Sequence, residues 1–300
     1  MIYHVLHNPF AGNACAEKPA WLTALTEQGS VVEHDITVVS EDYASFFATL
    51  SEDDAIILHG GDGTLNRFVN DTDGMQIPCD VLYAPGGTGN DFLRDLNRPA
   101  DTEPFSVLPY VKDLPYVEIK GKRYRFLNNV GFGIDGYCCE VGDALKKANP
   151  NKPVNYTAVA IKGLLFHYRP TGATVIVDGM EYRYKKAWLA PAMKGRYYGG
   201  GMIATPAQDR LDPTGKLSVM LFYGKGRLAT LIAFPSIFEG KHVQKTNMVA
   251  IHEGHDIRVI FDSPRPVQID GETILGVTEY HAVSATPAEA TPDTEASLHA

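Results

Sequence analysis

The stretch Ala55-Ile56-Ile57-Leu58-His59-Gly60-Gly61-Asp62-Gly63-Thr64-Leu65-Asn66-Arg67-Phe68-Val69 decides how this chain is read. A short apolar run enters a turn of small residues, after which the apolar spacing becomes that of a helix. Glycine lets backbone N–H groups approach phosphate oxygens, and a helix start adds partial positive charge. Gly60 to Thr64 therefore reads as a nucleotide phosphate cradle. Asp62 cannot bind phosphate directly, because two anions repel unless a divalent cation lies between them, so the phrase asks for Mg2+. Taken alone, an ordinary strand-turn-helix connection explains the glycines equally well.

A second phrase of the same kind, Pro85-Gly86-Gly87-Thr88-Gly89-Asn90-Asp91-Phe92, follows the apolar run Val81-Leu82-Tyr83-Ala84. In open α/β sheets the loops leaving strand carboxyl ends share one crevice, which would bring Thr64, Thr88, Asn90 and Asp91 together with Asp62. The plainer alternative is a capping turn, with Asn90 or Asp91 at the start of a helix from Phe92 to Leu96. Asn8, in Asn8-Pro9-Phe10-Ala11-Gly12, ends the first strand and should open on the same crevice, where it could bond a phosphate or ribose; a simple turn is the alternative.

Working outward, the first third alternates strand and helix signals. These are Ile2 to Leu6 as a strand, Ala14 to Thr26 as a helix, Val31 to Val39 as a strand and Tyr43 to Leu50 as a helix. That order predicts a parallel sheet with helices on both faces. From about Tyr116 the elements become short and β-rich: Val117 to Lys120, Arg125 to Asn129, Thr174 to Val177, Ala187 to Ala190, Leu217 to Phe222, Asp256 to Phe261 and Val267 to Ile269. Asp178-Gly179 is a hairpin signal, and Ile134 to Arg169 reads as a helical insertion. The second half is expected to be a β-sandwich or barrel. The boundaries fall at 1–120 for the α/β domain, 121–284 for the β domain and 285–300 for a tail too poor in apolar residues to fold.

Two acidic phrases stand in that second half. Gly199-Gly200-Gly201-Met202 precedes Asp209 and Asp212, which with the carbonyl of Thr214 could hold a divalent cation, since hard cations favour oxygen. A polar turn, Asp212-Pro213-Thr214-Gly215, is the simpler account. In Gln268-Ile269-Asp270-Gly271-Glu272, a continuing strand would put Asp270 and Glu272 on one face. Two carboxylates there would raise one another's proton affinity or require a cation, which suits removal of a proton from an alcohol. A solvated hairpin turn at Asp270-Gly271 is the alternative.

Composition bounds the rest. The 300 residues are 44% hydrophobic, enough for two modest cores, and the net charge of −9 argues against nucleic-acid binding. Lys146-Lys147 and Lys185-Lys186 are candidate local contacts for anionic lipid, an ordinary solvated face being the simpler account of each. The four cysteines lack metal-ligand spacing and read as reduced intracellular thiols. The N-terminus has no basic flank and too short an apolar run for a signal peptide. The longest apolar stretch, Leu228 to Phe238, is broken by Pro235 and too short to span a bilayer. Walker A, G-x-S-x-G and protein-kinase signatures are missing.

Asn8-Pro9 with Gly12, Gly60 to Thr64, Gly87-Thr88 with Asn90-Asp91-Phe92, Gly199 to Gly201 with Asp212, and Asp270-Gly271-Glu272 occur in one order. In this combination the chain resembles the soluble diacylglycerol kinase catalytic family of lipid kinases, which includes sphingosine and ceramide kinases. The resemblance runs from about Ile2 to Glu272. It implies a phosphofructokinase-like α/β domain and a C-terminal β-sandwich with ATP in the cleft between them. It further implies nucleotide contacts from Gly60 to Leu65, Gly87 and Thr88, and proton-acceptor and magnesium roles for Asp270 and Glu272. A structural Mg2+ at Asp209, Asp212 and the Thr214 carbonyl also follows from it. Four features depart from the family pattern: Val38 where a threonine is usual, Lys194 where an asparagine is usual, two residues between Asp212 and Gly215, and no single match, Asp113 or Glu118, for the usual acid before Phe126-Leu127-Asn128.

The reading that follows is an ATP- and Mg2+-dependent kinase acting on a hydroxyl of diacylglycerol or a relative. It would be cytoplasmic and visit the membrane surface transiently. A NAD kinase-like phosphotransferase and a non-catalytic nucleotide-binding module are the alternatives. The acceptor lipid and the oligomeric state are open, a homodimer being one option.

Overall fold

The structure is a computed structural model that describes residues 1–8, 19–28, 30–87, 89–149, 152 and 154–285. Thr88, most of the Asn8 to Gly12 loop, Cys15, the first residues of the expected Ala14 helix and nearly all of the expected unfolded tail lie outside the described residues.

Five strands build the first sheet: β1 (Ile2–His7), β2 (Ser30–Asp35), β3 (Ala55–Gly60), β4 (Asp80–Pro85) and β5 (Phe105–Ser106). Their order is β2-β1-β3-β4-β5, parallel except for the edge strand β5. Residues of alternating parity face opposite sides. In register, Leu6, Leu58 and Tyr83 line up on one side and pack with Phe68 and Phe92. Val5 and Ile57 face the other side and meet Leu22. The helices α1 (Ala20–Gln28), α2 (Ile36–Val39), α3 (Tyr43–Phe47), α4 (Asp62–Asp71), α5 (Asp91–Asp95) and α6 (Leu108–Val111) accompany this sheet. Coverage on both faces explains why the β3 run from Ile56 to Leu58 is unbroken by polar residues.

The expected strand from Val31 to Val39 stops at Asp35. That residue accepts bonds from the Thr37 N–H at 2.8 Å and the Thr37 hydroxyl at 2.7 Å. Its carboxylate thus caps α2, and the β-branched Ile36-Thr37-Val38-Val39 turns helical against its own propensity.

From Tyr116 the strands join one ten-stranded sheet. They are β6 (Tyr116–Ile119), β7 (Lys122–Arg125), β8 (Asn129–Gly133), β9 (Thr171–Val177), β10 (Met180–Ala187) and β11 (Leu189–Met193), with the small hairpin β12 (Tyr197–Tyr198) and β13 (Met202–Ile203) apart from it. β14 (Leu217–Phe222), β15 (Val249–Gly254), β16 (Asp256–Ile269) and β17 (Glu272–Val283) complete it. The expected strands Asp256 to Phe261 and Val267 to Ile269 are one long strand, whose first half pairs β9 and whose end pairs β8. Register shifts around Arg265 bend β16 between those partners, so the sheet folds over one core. Phe132 of β8 stacks on Phe261 with ring centroids 4.3 Å apart, joining the two limbs. The Asp178-Gly179 hairpin has both residues at positive φ, as a tight two-residue turn requires.

The helical insertion comprises α7 (Ile134–Ala148), α8 (Tyr156–Lys162) and the turn 163–167. With α9 (Arg227–Ala233) it covers the outer face of β8, β11 and β14, where Trp188, Met220 and Phe222 are buried. Among the described residues no helix is long and apolar enough to cross a membrane.

Candidate active site

The two glycine loops leave adjacent parallel strands at the same end and pack backbone against backbone. Gly86 N–H donates to the Gly60 carbonyl at 2.9 Å. A Cβ added to Gly87 would stand 2.5 Å from the Gly61 Cα, so neither residue can carry a side chain without separating the loops.

Asp62 begins α4 but does not serve it. Its Oδ2 accepts the Phe92 N–H at 3.1 Å and the Asn128 side-chain amide at 3.0 Å. The expected local cap of the second helix is therefore replaced by a carboxylate from the first loop; Asn90 takes a left-handed conformation and makes no capping bond. The buried oxygens Asp62 Oδ1 and Asn90 Oδ1 find no partner among the described residues. Burial pushes the Asp62 carboxyl up, against the pull of the Phe92 amide.

Asp91 is turned toward the second domain. Its Oδ2 accepts the Gly200 N–H at 2.7 Å, and Arg94 lies 3.3 Å from Oδ1. Gly199, Gly200 and Gly201 all have positive φ, which presents this amide at the tip of the β12–β13 hairpin. Burial raises Asp91 to about 6.

The late acidic phrase differs from its expected form. Asp270 and Gly271 take positive φ and close a hairpin between β16 and β17, so the two acids do not share a strand face. The Asp270 carboxylate accepts the successive N–H groups of Leu127, Asn128 and Asn129 at 2.5, 2.8 and 3.0 Å, and the Asn66 amide at 2.7 Å. This also corrects the strand expected over Arg125 to Asn129: residues 126–128 leave the ladder, and the N–H groups of Leu127 and Asn128, with that of Asn129, turn to Asp270. Burial raises Asp270 to about 6 despite those donors. Glu272 points outward, with one oxygen 3.2 Å from Arg67 of α4.

Asn128 joins these parts. Its backbone N–H holds Asp270, its side-chain NH2 holds Asp62, and its side-chain oxygen accepts from Arg210 at 2.8 Å. Arg210 is buried, donates to the Leu127 carbonyl at 3.0 Å and pairs with Asp95 at 2.6 Å. Arg196 meets the other Asp95 oxygen at 2.8 Å. The guanidinium thereby fixes which way the Asn128 amide faces. Asn66, Asp95, Asn128, Arg196 and Arg210 belong to no motif legible in the sequence. Two weak signals existed: Asn66 stands one helical turn after Asp62, and Asp95 one turn after Asp91.

Asp209, Asp212 and Thr214 are not drawn into this network. Asp209 accepts the Leu211 N–H at 2.9 Å, and Asp212 accepts the Thr214 N–H at 2.9 Å and hydroxyl at 2.6 Å. Among the described residues no group of three or more His, Cys, Asp or Glu side chains could hold a metal ion. Lys194, the departure from the expected asparagine, is buried, and its N–H donates to the Asn128 carbonyl at 2.8 Å. Burial, then the adjacent Arg210 cation, pushes its ammonium down.

Comparison with known proteins identifies the two halves of the chain. Residues 3–110 match the diacylglycerol kinase catalytic domain, and residues 128–289 match the YegS C-terminal NAD kinase beta sandwich-like domain. A diacylglycerol kinase of Mycobacterium tuberculosis (strain CDC 1551 / Oshkosh) is 28% identical over 249 residues, 80% of this chain and 79% of that protein. A solved structure described as "a putative diacylglycerol kinase" from Bacillus anthracis str. Sterne shares the fold, with a TM-score of 0.65 at 20% identity over 95% of this chain and 93% of that one. With both halves matched in order, the chain belongs to the diacylglycerol kinase catalytic-domain family of lipid kinases.

Proposed function

We propose that the protein transfers the γ-phosphoryl group of ATP to a hydroxyl of diacylglycerol or a related lipid, with Mg2+. The observation that carries this reading is the buried network in which Asn128 ties the Gly61/Gly87 loops to the Asp270-Gly271-Glu272 turn. Phosphoryl transfer needs fixed backbone donors, a cation and a base near the acceptor, with little covalent chemistry from the protein.

The donor set fits a hard cation: Asp62 Oδ1 and Asn90 Oδ1 are buried oxygens with no hydrogen-bond partner among the described residues. Bound there, Mg2+ would neutralise phosphate charge and allow an acid to stand beside a phosphate. The glycine loops, Gly60 to Leu65 with Gly87, supply N–H groups for phosphate oxygens, with Asn8 and Thr88 as further nucleotide contacts. Asp91 positions the Gly200 hairpin against the loops.

Asp270 and Glu272 divide the remaining work. Asp270 has its oxygens taken by four donors and sets the turn. Glu272 keeps one oxygen clear of Arg67 and is the proton acceptor for the lipid hydroxyl.

The test is incubation with labelled ATP, Mg2+ and a lipid panel in mixed micelles. Labelled phosphatidic acid from diacylglycerol is expected. Normal ATP binding with no lipid labelled would overturn the reading.

A further inference from the structure

The longest apolar run of the chain, Leu228 to Phe238, neither crosses a bilayer nor disappears into the core. In α9, Leu228 and Ile232 are 67% and 73% exposed. They are spaced i, i+4 and so share one face, and Phe238 beyond them is 47% exposed. Beside α9, the end of the helical insertion exposes Ile161 at 43% and Phe166 at 69%. The two segments are fastened together: Arg227 donates to the Leu164 carbonyl at 2.9 Å. Beneath them Leu164, Trp188, Ala233 and Ile237 are fully or nearly fully buried. The outward side chains are therefore a second apolar layer over a packed one, on helices whose solvent faces have the wrong polarity for water.

Charge narrows what covers this surface. The whole chain has 36 acidic residues against 27 basic ones. Residues 156–177 and 223–238 nevertheless contain no Asp or Glu, while they carry Lys162, Arg169, Lys225 and Arg227. Glu239, just beyond, is paired with Lys241. The Gly224 N–H donates to the carbonyls of Lys185 and Lys186, which sets one of the two expected basic pairs at the border of the patch. Exposed apolar side chains within a cationic rim, on an otherwise acidic molecule, are what an anionic bilayer surface selects: the side chains enter the acyl boundary and the cations meet headgroups.

We infer that the surface made by α8, the turn 163–167 and α9 docks the protein onto an anionic lipid bilayer, with Phe166, Leu228 and Ile232 as the inserting side chains. The inference rests on the lipid-kinase reading for its purpose, but its test does not. Sedimentation would be measured with phosphatidylcholine vesicles, with and without roughly a third phosphatidylglycerol. The unaltered protein is expected to partition onto the anionic vesicles. Replacing Phe166, Leu228 and Ile232 together by Ser should lower that partitioning about tenfold or more. Lys162→Gln with Lys225→Gln should remove the preference for phosphatidylglycerol. Turnover of a monomerically dissolved short-chain diacylglycerol should be unchanged in both variants, which shows that they fold. No vesicle binding by the unaltered protein, or equal binding by the triple variant, would overturn the proposal. So would a dimer in gel filtration that the triple variant dissolves. If no protein phosphorylates the short-chain lipid, the kinase reading fails while the vesicle result still decides the docking surface; circular dichroism then reports the fold.

Discussion

The Gly60–Thr64 loop and the Asp209–Thr214 turn look alike as text: each sets an aspartate in a short connection that suggests a cation. In the folded chain they are opposites. Asp62 takes its bonds from Phe92 and Asn128, on other elements, and keeps a buried oxygen without a partner among the described residues. Asp212 takes its bonds from Thr214, two residues on, and closes its own turn. A carboxylate satisfied locally finishes a piece of backbone. One held by distant donors is oriented by the tertiary structure, and its spare oxygen is available for chemistry.

The largest expected effect tests the cleft side of that contrast. Glu272→Gln should lower kcat by about 10²–10⁴ while ATP binding changes by less than about twofold. Equilibrium nucleotide binding beside steady-state kinetics checks this. A folded Asp270→Asn protein with the greater loss in kcat, and a near-normal Glu272→Gln, would exchange the two roles.

Next in size is the support behind Asn128. Arg210→Met removes the partner of buried Asp95 and the group that orients the Asn128 amide. A loss of about 3 kcal/mol in denaturant unfolding is expected, because a buried charge is left half-paired. A loss below about 1 kcal/mol would mean that Arg196 alone satisfies Asp95.

Asp135, at the start of α7, gives a smaller effect with a defined pH dependence. It is buried, and burial raises it from an ordinary value of 3.8 to about 7 against the hydrogen bonds of Gly136 and Gln268. The folded state thus binds this proton more tightly than the unfolded state. Its contribution to stability is complete below the unfolded value and is lost as the pH rises from about 4 to 7. Asp135→Asn avoids that loss, so it should be more stable than the unaltered protein by about 1–3 kcal/mol at alkaline pH, with the advantage vanishing toward acid. Unfolding curves across that range decide it, and a pH-independent difference would contradict the assignment.

The smallest effect belongs to the exposed turn. Asp212→Ala should cost no more than about 1 kcal/mol and leave turnover within about twofold. A larger fall, rescued by added Mg2+, would break the comparison by making that turn a cation site.

Much of the molecule was legible before folding. The β3 run, the glycine loop and the helix after it appear where the change of hydrophobic period places them. The β14 strand coincides with the run Leu217 to Phe222, and Asp178-Gly179 forms its hairpin. The failures share one cause. The β-branched residues of Val31 to Val39 suit a strand, but the cap at Asp35 outweighs them. Arg125 to Asn129 suits a strand as sequence, but three of its amides bind a carboxylate more than 140 residues away. Asn128 and Arg210 carried no periodic signal, because burial of a polar side chain depends on partners that sequence spacing does not reveal.

The sequence by itself determined the two-part architecture, the paired glycine loops and the family, since these rest on local period, small-residue turns and ordered phrases. Only the tertiary structure decided which acids are spent and which are spare. That depends on donors brought in from other elements: Asn128 and Phe92 on Asp62, four groups on Asp270, and a single neighbouring hydroxyl and amide on Asp212. A carboxylate's proton affinity and free valence are set by its surroundings in space, and the chain order of those surroundings is scattered.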